Sequence, residues 1–105
     1  MTRHKLTYSE EALSHLDRLS DFLVQNAGTQ TAFDVISELI NSFDILIEMP
    51  NIGREHPDPM LANRGYRVLF IGRYACVYIV DNKEVWIAGV YYTKSDWIMR
   101  YQPNE

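Results

Sequence analysis

Residues 66–92 read YRVLFIGRYACVYIVDNKEVWIAGVYY. The run is dense in Val, Ile, Tyr and Trp, the β-branched and aromatic types that fit a pleated, half-buried surface. Gly72-Arg73 interrupts it with glycine first, as a two-residue hairpin turn requires, and Asp81-Asn82-Lys83 fits a slightly longer turn. The reading is three strands, Tyr66–Ile71, Tyr74–Val80 and Glu84–Tyr92, joined as an antiparallel meander. Alternation places Tyr66, Val68 and Phe70 on one face of the first strand, and Arg67, Leu69 and Ile71 on the other. Arg67 is therefore the odd member of an otherwise apolar strand.

Upstream the period changes from two to 3.6. His4 to Tyr8 is a short strand. Ser9 caps a helix whose first turn carries Glu10 and Glu11, complementing the positive end of the dipole. Ala12, Leu13, Leu16, Leu19 and Leu23 recur at helical spacing to about Gln25, and Asn26-Ala27-Gly28 stops the helix. A second helix runs from Thr29 to Met49. Phe33, Ile36, Ile40, Phe43 and Ile47 form one apolar stripe, widened by Val35, Leu39 and Leu46, so this helix is expected to be buried on more than one side. Pro50 closes it, since a residue before proline avoids the helical region. Two amphipathic helices joined by a few residues form an antiparallel hairpin. Asn51 to Gly65, rich in Pro, Gly and Asn, reads as a long loop of the kind that often carries function.

The order β-α-α-β-β-β predicts a two-layer α+β fold: an N-terminal strand and an antiparallel helix hairpin packed on an antiparallel β-sheet, as a single domain over residues 1–105. The stretch Thr93 to Glu105 is read either as a short helical turn against the sheet or as a tail.

The 105 residues are 47% hydrophobic and 23% charged, a globular balance that excludes a disordered or low-complexity chain. No apolar run approaches a membrane span or a signal peptide, so a cytoplasmic protein without membrane association is expected. One cysteine excludes an intrachain disulfide and a multi-cysteine zinc site. Residues 1–50 carry eight acidic side chains against three basic ones (−5), and residues 51–105 carry seven basic against six acidic (+1), matching the net −4. That balance argues against non-specific nucleic-acid binding and leaves room for a small basic site among the arginines between 54 and 73.

There is no phosphate loop, dinucleotide fingerprint, metal-ligating His-x-x-x-His or nucleophile elbow. His15 is read as a solvated surface residue, His56 as ordinary loop chemistry and Cys76 as a buried small hydrophobe. No metal or cofactor is expected. Arg67 on a central strand has two readings. It is held by a structural partner, such as Asp96 or the acidic helices, or left on an open sheet face; or it binds phosphate or an acidic peptide. Tyr91, Tyr92 and Lys94, ending the last strand, are either rim packing or part of the same site.

Together these residues resemble the RelE/ParE superfamily of toxins from type II toxin–antitoxin modules. The resemblance covers nearly the whole chain. It runs from Tyr8-Ser9-Glu10-Glu11-Ala12-Leu13 through Met49-Pro50-Asn51-Ile52-Gly53-Arg54. It is strongest at Gly65-Tyr66-Arg67-Val68-Leu69, Gly72-Arg73-Tyr74-Ala75-Cys76-Val77-Tyr78 and Val85-Trp86-Ile87-Ala88-Gly89-Val90. RelE-like members cleave mRNA on the ribosome, whereas ParE-like members poison DNA gyrase by binding it. A ribosome-dependent endoribonuclease would rest on Arg67, Tyr92 and Lys94. The nuclease pattern often has His where Tyr92 stands and an arginine near Ser95, and the acidic helices fit ribosomal RNA poorly. The Pro50–Arg54 turn is also more similar to ParE. The resemblance therefore implies a ParE-like gyrase inhibitor with no catalytic residue. Trp97, Ile98, Met99, Arg100 and Tyr101 are the expected target-contacting segment. A cognate antitoxin is expected as partner in a hetero-oligomer, its flexible segment lying across helices and sheet, with Arg67 and Arg73 accepting its carboxylates. A third reading is an inert relative, or a simple interaction module, that arrests no growth.

Overall fold

The computed structural model describes residues 3–100, with Met99 and Arg100 as backbone only. The chain runs β1 (Lys5–Tyr8), α1 (Glu10–Ala27), α2 (Thr29–Phe43), α3 (Ile45–Glu48), β2 (Arg54–Glu55), α4 (Pro59–Asn63), β3 (Tyr66–Ile71), β4 (Tyr74–Asp81), β5 (Glu84–Tyr92) and α5 (Trp97–Arg100). This is the expected α+β architecture. The five strands form one sheet in the order β1-β5-β4-β3-β2. The meander is antiparallel, while β1 joins β5 in parallel, Leu6 opposite Val85 and Tyr8 opposite Ile87, so the sheet is mixed.

Local chemistry explains the element ends. Ser9 Oγ accepts from the Ala12 N–H at 3.0 Å and donates to the Ala88 carbonyl at 3.1 Å, so one hydroxyl caps α1 and ties it to β5. Gly28, at φ +94°, ends α1 and starts α2. A left-handed residue at a helix end favours glycine. The second helix is broken at Asp44, whose N–H turns back to the Asn41 carbonyl at 3.3 Å, a tighter turn that separates α3 from α2. The stretch 51–65 is less of a loop than its composition suggests. It contains β2, paired to β3, and α4, whose cap is Asp58 accepting from the Met60 N–H at 2.9 Å, with Pro59 at the first position. Asp-Pro is the legible start signal there.

Both hairpin turns place a positive φ first, at Gly72 (+56°) and Asn82 (+55°), and the second turn is two residues long because β4 extends to Asp81. A bulge in β5 opposite Val77 and Tyr78 leaves Ala88 as the extra residue. It shifts the alternation of the strand, so that Ile87 and Val90 both reach the helix side.

Each sheet face has its own core. The helix pair packs Ala12, Leu16, Leu39, Phe43 and Leu46 onto Cys76, Tyr78, Val85, Ile87 and Val90. The far face gathers Tyr66, Val68, Ala75, Val77, Ala88 and Tyr91 under Leu61 of α4 and Trp97 of α5. The start of the C-terminal stretch is thus a helical turn against the sheet. The apolar stripe of α2 divides: Leu39 and Phe43 are buried, whereas Phe33 is 67% exposed and Ile40 is exposed. Leu13 and Val24 of α1 are open too. The expectation that this helix is buried on more than one side therefore fails, because one sheet covers only one side of each helix.

Candidate functional site

Arg67 points from β3 to the helix side of the sheet, where Tyr78 stands opposite it on β4. Its Nε and Nη2 donate to the Gly53 carbonyl at 3.0 and 2.7 Å, and Nη2 donates to the Asn51 carbonyl at 3.0 Å. The Tyr78 hydroxyl donates to the Pro50 carbonyl at 2.8 Å and accepts from the Gly53 N–H at 3.0 Å. Two side chains thereby clamp the turn after the helix pair by its backbone. Arg67 is held by loop carbonyls rather than by Asp96 or a helix carboxylate. Burial pushes the Tyr78 hydroxyl's pKa up, opposed by the Gly53 N–H and the Arg67 charge.

Gly53 fits because it has no side chain. A Cβ there would lie 2.6 Å from Tyr78 Oη and 2.7 Å from the Val68 carbonyl oxygen. Gly53→Ala is expected to displace Tyr78 and break the clamp, at a cost of about 2–3 kcal/mol, in line with overpacking plus a lost buried hydrogen bond. Urea unfolding checks this; an unchanged midpoint would contradict the clamp.

Tyr92 and Lys94 lie elsewhere. Tyr92 pairs with Tyr74, and their rings stand 6.0 Å apart. The Thr93 N–H donates to the Arg73 carbonyl at 2.8 Å, holding the end of β5 against the β3–β4 turn. Tyr74 is four residues along β4 from Tyr78, a span of about 13 Å at ~3.3 Å per residue. Leu69 and Cys76, paired between them, fill part of that span with core. Arg67 and Tyr92 are therefore not in one site. Arg73 and Lys94 are exposed, and Arg73 borders a 480 Å³ cleft lined by Leu19, Phe22, Leu23, Tyr74 and Tyr92.

The histidines depart from their sequence reading. β1 stops pairing at Ile87, so the outer edge of β5 is unpartnered by strand beyond it. There the Val90 N–H donates to His15 Nδ1 at 3.1 Å, and the His15 ring lies 4.8 Å from that of Tyr91. His15 is half-buried structure rather than a solvated residue. His56 is only 2% exposed, with Nδ1 accepting from the Asp58 N–H at 3.0 Å and its ring edge-on to Trp97 at 5.6 Å. Burial lowers its pKa below the ordinary 6.5, with Asp58 opposing. Cys76 is fully buried, which raises its thiol pKa and leaves it a hydrophobe.

His56 makes stability depend on pH. The folded state disfavours the imidazolium and the unfolded state does not. Its contribution is complete above about pH 6.5 and is lost as pH falls toward the lower folded value. The slope it adds is at most about 1.4 kcal/mol per pH unit. Chemical unfolding between pH 7.5 and 5 is expected to show stability falling with pH, and His56→Phe is expected to flatten that fall. An unchanged slope would place the titration elsewhere.

The expected target segment is split. Trp97 is 7% exposed, with its ring edge-on to His56 and to Phe70 at 5.8 Å, so it is a core residue of the far face. Ile98 is exposed. The side chains of Met99 and Arg100, and Tyr101 as a whole, lie outside the described residues. Among the described residues no three His, Cys, Asp or Glu side chains gather as metal ligands, and no helix is long and apolar enough to cross a membrane.

The feature that sequence reasoning missed is a groove along the outside of the helix pair. Leu13, Asp17, Ser20 and Val24 of α1 face Phe33, Ile36, Ser37 and Ile40 of α2 around two adjoining hollows of 420 and 410 Å³. The available signal was the width of the apolar stripe on α2, more than one sheet can cover.

A strand and a helix hairpin ahead of an antiparallel meander are the architecture shared with two solved structures. The chain superposes on a structure described as the chromosomal ParDE toxin–antitoxin system from P. aeruginosa with a TM-score of 0.76 at 20% identity, covering 88% of this chain and 98% of that one. It superposes on the toxin–antitoxin complex RelBE2 from Mycobacterium tuberculosis with a TM-score of 0.60 at 18% identity, covering 88% and 93%. At these identities the likeness is one of fold. No curated protein matches the chain significantly. The family model described as the ParE toxin of the type II toxin–antitoxin system parDE matches residues 6–97, and the chain belongs to that family.

Proposed function

We propose that this chain is a ParE-like toxin that inhibits DNA gyrase by binding it, and that an antitoxin holds it inactive. The observation that carries the binding reading is the engagement of Arg67. An in-line attack on a phosphate needs a cation aimed at the developing charge and a proton-transfer group within reach. Here the guanidinium is spent on two carbonyls, and Tyr92 stands about 13 Å along the sheet. The antitoxin reading is supported by the apolar groove on the helix pair, a surface a soluble protein seldom leaves bare unless a partner covers it. Both solved neighbours carry descriptions of toxin–antitoxin assemblies. A flexible segment lying across the helices would bury Leu13, Phe33 and Ile40. Arg73, exposed at the turn, is the better placed of the two arginines to accept its carboxylates.

The test is a supercoiling assay with purified gyrase, ATP and relaxed plasmid, titrated with the protein with and without antitoxin. Loss of supercoiling or accumulation of cleaved plasmid, reversed by antitoxin, is expected. No effect from a folded, antitoxin-binding sample would overturn the gyrase target and make ribosome-dependent mRNA cleavage the next assay.

A further inference from the structure

The outer edge of β5 is closed piece by piece, by α1 and by the turn after the strand. Ser9 gives its N–H to the Ile87 carbonyl at 3.0 Å and its hydroxyl to the Ala88 carbonyl at 3.1 Å. The Val90 N–H goes to His15 Nδ1 at 3.1 Å. The Tyr92 carbonyl accepts from the Ser95 N–H at 3.0 Å and from Ser95 Oγ at 2.6 Å. Residues along an antiparallel strand alternate in the neighbour they bond. Thr93 bonds across to Arg73, and Tyr91 stands opposite Ala75, so Tyr91 and Thr93 bond inward to β4 and its turn. Val90 and Tyr92 therefore turn both backbone groups outward. Of those four groups, the Val90 carbonyl and the Tyr92 N–H have no partner among the described residues.

These two groups are the pair that one residue of a parallel strand uses, its N–H donating to Val90 and its carbonyl accepting from Tyr92. β1 already runs parallel to β5, with the Lys5 N–H on the Lys83 carbonyl at 2.7 Å, and it stops short of this place by turning into α1 at Ser9. Arg18 lines the same 210 Å³ cleft as Val90 and Tyr92. It is exposed and forms neither an ion pair nor a hydrogen bond from its side chain among the described residues.

We propose that this notch binds the C-terminal residue of an extended peptide. Its N–H meets the Val90 carbonyl, one carboxylate oxygen meets the Tyr92 N–H, and the negative charge faces Arg18. Strand addition at an exposed edge and capture of a terminal carboxylate are both established ways of holding a peptide. Two features select a chain end over a passing strand. A parallel chain runs toward Ser95, whose bonds already occupy the Tyr92 carbonyl that its next N–H would need. The cation at that end has no carboxylate of its own, and a charge-assisted bond there is stronger than a neutral one. The inference goes beyond the gyrase and antitoxin readings and needs neither.

The probe is an array of random pentapeptides, synthesised in three forms: free C-terminal carboxylate, C-terminal amide, and free carboxylate with the last residue N-methylated. The folded protein is expected to bind members of the free set, and amidation of those members to weaken binding at least about tenfold. N-methylation, which removes the donor to Val90, is expected to weaken it about fivefold. Arg18→Gln is expected to erase the preference for carboxylate over amide, whereas Arg54→Gln, the same charge change on the opposite sheet edge, preserves it. In a ¹⁵N-resolved NMR titration with the tightest peptide, the Tyr92 amide is expected to shift most. An array without a free-carboxylate binder, amides that bind equally, a preference lost equally in the Arg54 variant, or shifts centred away from Tyr92 would each overturn the proposal.

Discussion

Replacing Trp97 with alanine is expected to lower the unfolding free energy by about 3–5 kcal/mol, the usual cost of deleting a buried large aromatic. In a chain of this size that corresponds to a fall in Tm of roughly 15 °C or more. The indole closes the far-face core, touching His56 and Phe70 edge-on above Val68, Ala75 and Val77. Its removal opens a cavity that only two short helices, α4 and α5, are placed to fill. Thermal unfolding by circular dichroism checks this, and a shift of only a degree or two would mean the residue is peripheral. The same burial alters how the C-terminal segment is tested as a gyrase contact. Truncation after Asp96 removes a core residue, so lost toxicity would report unfolding. Ile98→Asp, at an exposed position, separates the two effects.

Arg67→Ala is expected to cost about 2–4 kcal/mol, because it removes charge-assisted hydrogen bonds and leaves the Gly53 and Asn51 carbonyls without their donor. Arg67→Lys is expected to recover only part of that loss, since an ammonium lacks the planar fork that reaches both carbonyls. If Arg67 served a ligand alone, both variants would unfold like the parent and differ only in binding. Urea unfolding of the three proteins separates these outcomes.

The meander was legible because Gly72 and Asn82 stand where a tight turn needs a positive φ, between runs of strand-forming residues. The helix pair was legible through Ser9, Gly28 and the spacing of Leu16, Leu39 and Phe43. The parallel attachment of β1 was not, since a four-residue strand carries no sign of its partner's direction. The break at Asp44 is a change of hydrogen-bonding turn within one unbroken apolar stripe, invisible to periodicity. Arg67 was singled out as the odd charge in its strand, yet its partners are backbone carbonyls, which no residue type announces. His15 and His56 were misplaced for a related reason. Each is defined by a backbone N–H that the fold leaves needing an acceptor, at Val90 and at Asp58. The exposed half of the α2 stripe was visible as hydrophobicity, but only the sheet's coverage shows which half stays open.

The pairing of Leu6 with Val85 has a consequence in time. Leu6 finds its strand partner only after about 80 further residues have been synthesised. The sheet edge closes late, and Ser9, which caps α1 through a bond to Ala88, settles with it. Contacts this distant in sequence are reached slowly and cannot form on a half-made chain. The finished sheet edge is therefore assembled only once Leu6 and Val85 are both present, and a partner that reads this edge cannot recognise it earlier.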